Sequence, residues 1–188
     1  MWARLESNTI VEILTRPKAL NIGGTQYPSN IFSMWSNSEL AAIGIVPVTI
    51  DSTNLKDKGY YINTDITYAY DTETGKATGT YGTATAKAIA DSGSGENLVK
   101  GLKSLHKEII NSQAGGILQS TDWMVVRAAE GGTAVPSSIT TKRAAVRTKA
   151  NAMCVQIDAA SDVDALAALY VYNSDNPPVR PLGELPTV

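Results

Sequence analysis

Residues 119–158 read QSTDWMVVRAAEGGTAVPSSITTKRAAVRTKANAMCVQID. This stretch predicts a helical hairpin whose starts, stop and faces are written in its residues. Thr121 is placed to act as an N-cap, with Asp122 at the positive end of the helix that follows. Gly131-Gly132 ends that helix, because glycine enters the left-handed C-cap conformation at little cost. Pro136 holds the chain out of helix until Ser137 or Ser138 caps a second, longer one. Trp123 and Val126 lie at helical spacing and are expected to anchor the first helix against the second, while Arg127 and Glu130 stay polar. On the second helix Ile139, Val146, Ala150, Met153 and Ile157 recur on one face. Lys142, Arg143, Arg147 and Lys149 make that helix locally basic, with no acid from Thr133 to Ile157. Two readings stay open for this basic face: a solvated surface, or a docking site for an acidic patch on a partner.

Working backwards, Asp91-Ser92-Gly93-Ser94-Gly95 is the best candidate hinge, assigned to residues 91–96. After it, Leu98, Leu102, Leu105 and Ile109 recur at intervals of four, three and four. This is the spacing of a coiled-coil seam. It either packs on the chain's own helices or serves as a self-association or docking seam. Gly101 in its middle weakens the helix. Working forwards, a third short helix is expected from Ser161, with Asp162 and Asp164 in its first turn and Leu166 and Leu169 inward. Residues 171–188 carry Pro177, Pro178 and Pro181, which exclude helix and favour an extended arm. That arm is expected to lie along a neighbouring subunit, with Val179, Leu182 and Leu185 as apolar anchors and Arg180 as a salt-bridge donor.

Residues 1–90 read differently, as a β-rich part. Residues 9–14 (TIVEIL) predict a strand ended by Pro17. Residues 21–28 read as a turn leading into an extended piece. Ser36 with Glu39 forms a capping-box pattern for one or two helical turns, stopped by Gly44. Residues 45–50 follow as a strand, expected at a sheet edge because of Pro47. Residues 60–80 predict a hairpin turning at residues 71–76. The fold class expected is therefore α+β: a β-rich part over 1–90, a helical module over 97–170 and an extended arm over 171–188.

The chemistry-bearing residues are sparse. The chain of 188 residues holds one histidine, His106, and one cysteine, Cys154. A lone cysteine forms no internal disulfide, and a metal site needs three or four ligands. His106 is expected to face solvent and Cys154 to be a small buried apolar group. Asp71-Thr72-Glu73-Thr74-Gly75 lacks the third ligand and closing glutamate of a calcium loop, so a hairpin turn is expected. No GxxxxGK[ST] pattern occurs. Asp65 with Glu73, or Asp51 with Asp57, are the only carboxylate pairs to name for a hydrolase, and all lie in turn-like contexts. No catalytic residue, metal or cofactor is expected. Charged residues make up 18% and the formal net charge is -2, which argues against a nucleic-acid binder working by bulk electrostatics. No apolar run reaches membrane-span or signal-peptide length.

Two segments resemble small tail proteins of tailed bacteriophages. Residues 27–45, YPSNIFSMWSNSELAAIGI, are similar to a "YP…W-s-x-x-E-L-x-x-x-G-I" pattern. Residues 118–130, LQSTDWMVVRAAE, then Val135-Pro136, Arg143 and Arg147, resemble an "L-x-x-T-D-W-x-V-x-R-x-x-E…P…R…R" helical module. The resemblance implies a non-enzymatic virion structural protein of the tail, baseplate or fibre-attachment region, located in the virion tail. Its partners would be other tail proteins, the tail fibre and copies of itself, with no membrane and no nucleic acid. Two alternatives stand beside it: a fibre-assembly chaperone absent from the mature virion, and a tail-associated hydrolase. The interaction residues expected are Leu98, Leu102, Leu105, Ile109, Trp123, Arg143, Arg147, Val179, Arg180, Leu182 and Leu185.

Overall fold

Left-handed turns organise the start of the chain in the computed structural model, which describes residues 1–188. Ser7 and Asn8 both take positive φ, 50° and 64°. Those are the angles a two-residue turn needs if its strands are to keep their native twist. They join β1 (Trp2–Glu6) to β2 (Thr9–Leu14) as an antiparallel pair. Gly23-Gly24 makes the next such turn, between β3 (Leu20–Ile22) and β4 (Thr25–Tyr27).

The pattern over residues 27–45 has a local explanation. α1 (Ile31–Met34) buries Ile31, and Trp35 meets Tyr27 edge-on with ring centroids 5.9 Å apart. α2 (Asn37–Ala42) opens on a complete capping box. The Ser36 amide donates to Glu39 Oε2 at 2.7 Å, and the Glu39 amide donates back to Ser36 Oγ at 3.3 Å. Gly44 follows at φ +80°, where a Cβ would stand 2.8 Å from the Leu5 carbonyl oxygen. The glycine therefore lets β1 close on the chain, and Leu5 donates to its carbonyl at 2.7 Å.

β5 (Ile45–Asp51) is central, in contrast to the edge position its proline suggests. It pairs antiparallel with β1 over Ile45 to Pro47, then parallel with β8 (Lys76–Tyr81) over Val48 to Asp51. Pro47 sits at the handover. The Val48 amide points to β1, donating to the Met1 carbonyl at 3.2 Å. The nitrogen of Pro47 therefore points the other way, where pairing with β8 has not yet begun, and its missing N–H breaks no ladder. β7 (Ile66–Asp71) completes the five-stranded sheet in the order β2-β1-β5-β8-β7. The β7–β8 hairpin turns as expected. Asp71 accepts from the Glu73 amide and from Thr74 Oγ1, and Gly75 takes φ +66°. A two-stranded pair of β6 (Tyr61–Ile62) and β9 (Thr85–Ala86) ends this part.

Both faces of the sheet are covered, and it curls as a half-barrel that brings β2 towards β7. Leu14, Leu20, Ile31, Leu40 and Ile45 pack with Trp2 and Trp35 on one side. Ala3, Val46 and Ala77 pack with Ile13 and Tyr70 on the other. The chain divides into two compact units, Met1–Thr85 and Ala86–Val188.

The second unit is helical. The proposed hinge is folded into it: Ser92 bridges Val99, and a short 3-10 turn spans Gly95–Asn97. Leu98 therefore lies outside any α-helix. α3 (Leu102–Gln119) starts four residues later, with Gly101 as its N-cap and not its middle. Asp91 explains this start. Its carboxylate accepts from the Gly101 amide at 2.7 Å and from Ser104 Oγ at 2.8 Å, while Leu102 and Lys103 donate to the carbonyls of Ala88 and Ile89. The orphan amides of the first turn are thus satisfied from upstream chain. A Cβ on Gly101 would lie 2.4 Å from the Ala90 backbone.

α4 (Asp122–Ala129) ends in a full Schellman motif: Gly131, at φ +84°, donates to Ala128 and Gly132 donates to Arg127. α5 (Ser137–Ala159) buries Arg143, Val146, Ala150, Met153 and Ile157. Its partner is α3, through Leu102, Ile110 and Ala114, and not α4 as the hairpin reading expected. α6 (Val163–Ala168) is capped by Asp162, which accepts from the Ala165 amide at 2.8 Å, and buries Val163 and Leu166.

The C-terminal residues pack on their own unit. Leu182 is 0% exposed, its amide donates to the Leu169 carbonyl, and its carbonyl accepts from Lys149 Nζ, both at 3.0 Å. Arg180 pairs with Glu184 at 2.8 Å. The expectation that Leu182 and Arg180 reach a neighbour is corrected, because apolar burial and an internal acid already occupy them.

Two measurements follow from these contacts. Leu182→Ala should lower the stability of the helical unit by about 2–5 kcal/mol, read as an earlier denaturation transition of the full chain. An unchanged transition would show that the tail is not part of that unit's core. The second concerns pH. Bonds from the Gly101 amide, then from Ser104, hold the Asp91 carboxyl below the usual aspartate value of 3.8. Its folded pKa lies below its unfolded one, so its contribution is present above that value and is lost as pH falls through the folded pKa. NMR should show the Gly101 amide moving with the Asp91 titration, and Asp91→Asn should abolish that acid step.

Candidate interaction surface

The guanidinium of Arg143 decides which helical residues are available. Arg143 is 6% exposed on α5. Its Nη1 donates to the Leu118 carbonyl at 2.7 Å and to Thr121 Oγ1 at 2.5 Å, and its Nη2 donates to Asp122 Oδ1 at 2.7 Å. One side chain thus ties the end of α3 to the start of α4. Arg143 is therefore corrected from a docking residue to an internal one, since its donors are spent inside the unit. Thr121 occupies the N-cap position but does not cap with its side chain; its hydroxyl donates to the Leu118 carbonyl at 3.0 Å.

α4 is held at its amino end by polar bonds, and it buries no residue at all. Trp123 and Val126 are each 55% exposed and Val125 is 41% exposed. They do not anchor α4 on α5. Arg127 stacks over the Trp123 ring, 4.9 Å from its centroid. The signal that could have been read is composition: in DWMVVRAA the apolar residues Trp123, Met124, Val125 and Val126 run consecutively round the helix, so no single buried stripe can take them all.

The expected seam on α3 splits in two. Leu102 faces inward and is buried against α5. Leu105 and Ile109 face outward and, with Glu108 and Gln113, line an open groove of about 560 Å³. Leu98 is exposed outside the helix. On α5, Arg147 is exposed. Val179 is exposed beside Val171 and Tyr172 in a mainly apolar cavity of about 550 Å³. Leu185 is half-buried, bordering a cavity of about 510 Å³ with Ile117 and Met153. The structure brings Leu105 and Ile109 together, but Leu182 and Leu102 belong to the interior.

The titratable groups take structural positions. His106 is half-buried with its ring 4.8 Å from Tyr170, not facing solvent, and burial pushes its pKa down. Burial pushes the Cys154 thiol up, so neither group is charged at neutral pH. Asp51 accepts from the Thr53 amide and hydroxyl, and Asp57 from the Gly59 amide. Both carboxylates close turns. No helix is long and apolar enough to cross a membrane. No protein-family model matches the chain, and no curated protein or solved structure is similar to it.

The fastener predicts unequal effects for its two partners. Arg143→Met keeps the aliphatic stem but strands the Leu118 and Thr121 acceptors, and should cost roughly 2–3 kcal/mol. Asp122 is half-exposed, so Asp122→Asn should cost about 1 kcal/mol or less. Chemical denaturation of both variants checks the order. Equal losses would show that the ion pair, and not the buried fork, holds α4.

Proposed function

We propose that the chain is a non-enzymatic structural protein of a bacteriophage virion, in the tail, baseplate or fibre-attachment region, acting through assembly with copies of itself and with other tail proteins. The single observation that carries this reading is α4, a helix fixed by polar bonds at one end with Trp123, Val125 and Val126 left open to solvent. Apolar helix faces of this kind are characteristic of surfaces that a partner covers. The tail-protein pattern of residues 118–130 falls on this same helix. In that pattern Thr121, Asp122 and Arg143 build the joint, while Trp123 and Val126 supply the open face.

The test pairs the free chain with the particle. Trp123→Ser with Val126→Ser should leave the thermal transition of the free chain within about 0.5 kcal/mol, since neither side chain is in the core. The same pair of changes should reduce incorporation into particles, measured by mass spectrometry of purified virions. Wild-type peptides absent from virions would identify a fibre-assembly chaperone instead. Full incorporation of the double variant would remove α4 as the assembly face.

A further inference from the structure

The amino-terminal unit carries a different kind of surface, independent of the assembly reading. An open cavity of about 390 Å³ lies against β7, β8 and the loop before them, bordered by Leu55, Lys58, Asp65, Tyr68 and Tyr81. Its walls are held by bonds that leave the Asp65 carboxylate outside them. The Asn63 carboxamide accepts from the Lys56 amide at 2.9 Å and donates to the Lys56 carbonyl at 2.8 Å. Asn54 Nδ2 donates to the Tyr81 carbonyl at 2.9 Å, and Thr64 Oγ1 accepts from the Gly82 amide at 2.7 Å. The loop is thereby pinned to the end of β8. Gly79 sets the floor: a Cβ there would lie 2.8 Å from Tyr68 Cε1 and from Ile50 Cδ1, so the glycine allows the Tyr68 ring to lie across β8.

We infer that this cavity is a binding site for a neutral saccharide. Two phenol rings offer faces that carry negative charge density, to which the C–H edges of a sugar ring are attracted. Asp65 supplies an acceptor for sugar hydroxyls and Lys58 a donor. The two charges oppose each other in sign. A cationic ligand meets Lys58, an anionic one meets Asp65, and a purely apolar one would desolvate both without replacing their hydrogen bonds. A ligand with donors, acceptors and apolar ring edges, and no charge, meets every wall. A preformed rim lowers the ordering cost of binding.

The test is a titration of the ¹⁵N-labelled full chain with glucose, galactose, rhamnose and N-acetylglucosamine and with short oligomers of each. At least one should cause saturable shifts confined to amides near Asp65, Tyr68 and Tyr81. Asp65→Asn alters an exposed side chain, so the fold should persist, while affinity falls about 10-fold or more. Three results would overturn the assignment: no saccharide in the panel moves these amides, the Asp65→Asn chain binds as tightly as the wild type, or the shifts map to another surface. N-acetyl-lysine methylamide is the cationic control, and its binding here in place of any sugar would also overturn it.

Discussion

Burying a guanidinium withdraws a full charge from water, and that cost is recovered only if its donors find acceptors of fixed geometry. Arg143 finds a helix-end carbonyl, a hydroxyl and a carboxylate, all contributed by residues 118–122. The planar fork of arginine suits this task, and the point charge of lysine does not. The break between α3 and α4 depends on it. Leu118 is at the end of α3, where carbonyls have lost their intrahelical donors, and Arg143 supplies one of the missing bonds. Thr121 turns its hydroxyl back to the same carbonyl, away from α4. The helical unit is therefore joined at this corner by a polar fork, with apolar packing reserved for the α3–α5 contact.

That division of labour leaves α4 chemically unbalanced. A short amphipathic helix usually gains its stability by burying one face. This one buries none, and its fixed points are the Asp122–Arg143 bond at its start and the Gly131-Gly132 motif at its end. The Arg127 guanidinium over the indole is a further local contact, and such contacts at exposed sites contribute about 0.5–1 kcal/mol. Polar bonds thus fix the position of α4 independently of what covers it. The apolar residues are presented on a helix whose orientation is already set, which limits the entropy lost when they are covered.

The elements legible in the sequence are those whose causes are local. Ser36 and Glu39 are three residues apart and cap each other; Asp71 and Gly75 close a turn of their own; Gly131-Gly132 terminates the helix that precedes it. What was not legible depends on chain distant in sequence. α5 prefers α3 over its sequence neighbour α4, because the stripe Val146, Ala150, Met153 and Ile157 meets Ile110 and Ala114, and α4 offers no matching stripe. Pro47 is tolerated centrally because β5 changes partners there, which no local pattern records. Leu182 looked like a free anchor because nothing near it announces Leu169 and Lys149. The start of α3 was misplaced for the same reason, since Asp91 acts on Gly101 across an intervening turn. Of the candidate surface, Trp123, Leu105 and Ile109 were readable as apolar residues on helices; their outward direction was not.

The two kinds of surface follow different physical rules. Covering Trp123, Val125 and Val126 removes apolar area from water, and each half-exposed side chain contributes on the order of 1 kcal/mol when covered. No single residue of that size makes a stable complex against the translational cost of association. Repetition does, because copies arranged around an axis engage many such faces at once and each contact raises the effective concentration of the next. The sparse charge of the chain, 18% of residues, fits such packing, since fewer ionic side chains need desolvation where copies meet. The cavity beside Asp65 works by the opposite rule: it is polar, rimmed by fixed hydrogen bonds and of a size for one small ligand. Its contribution cannot come from area, so it must come from the orientation of a few groups held before the ligand arrives.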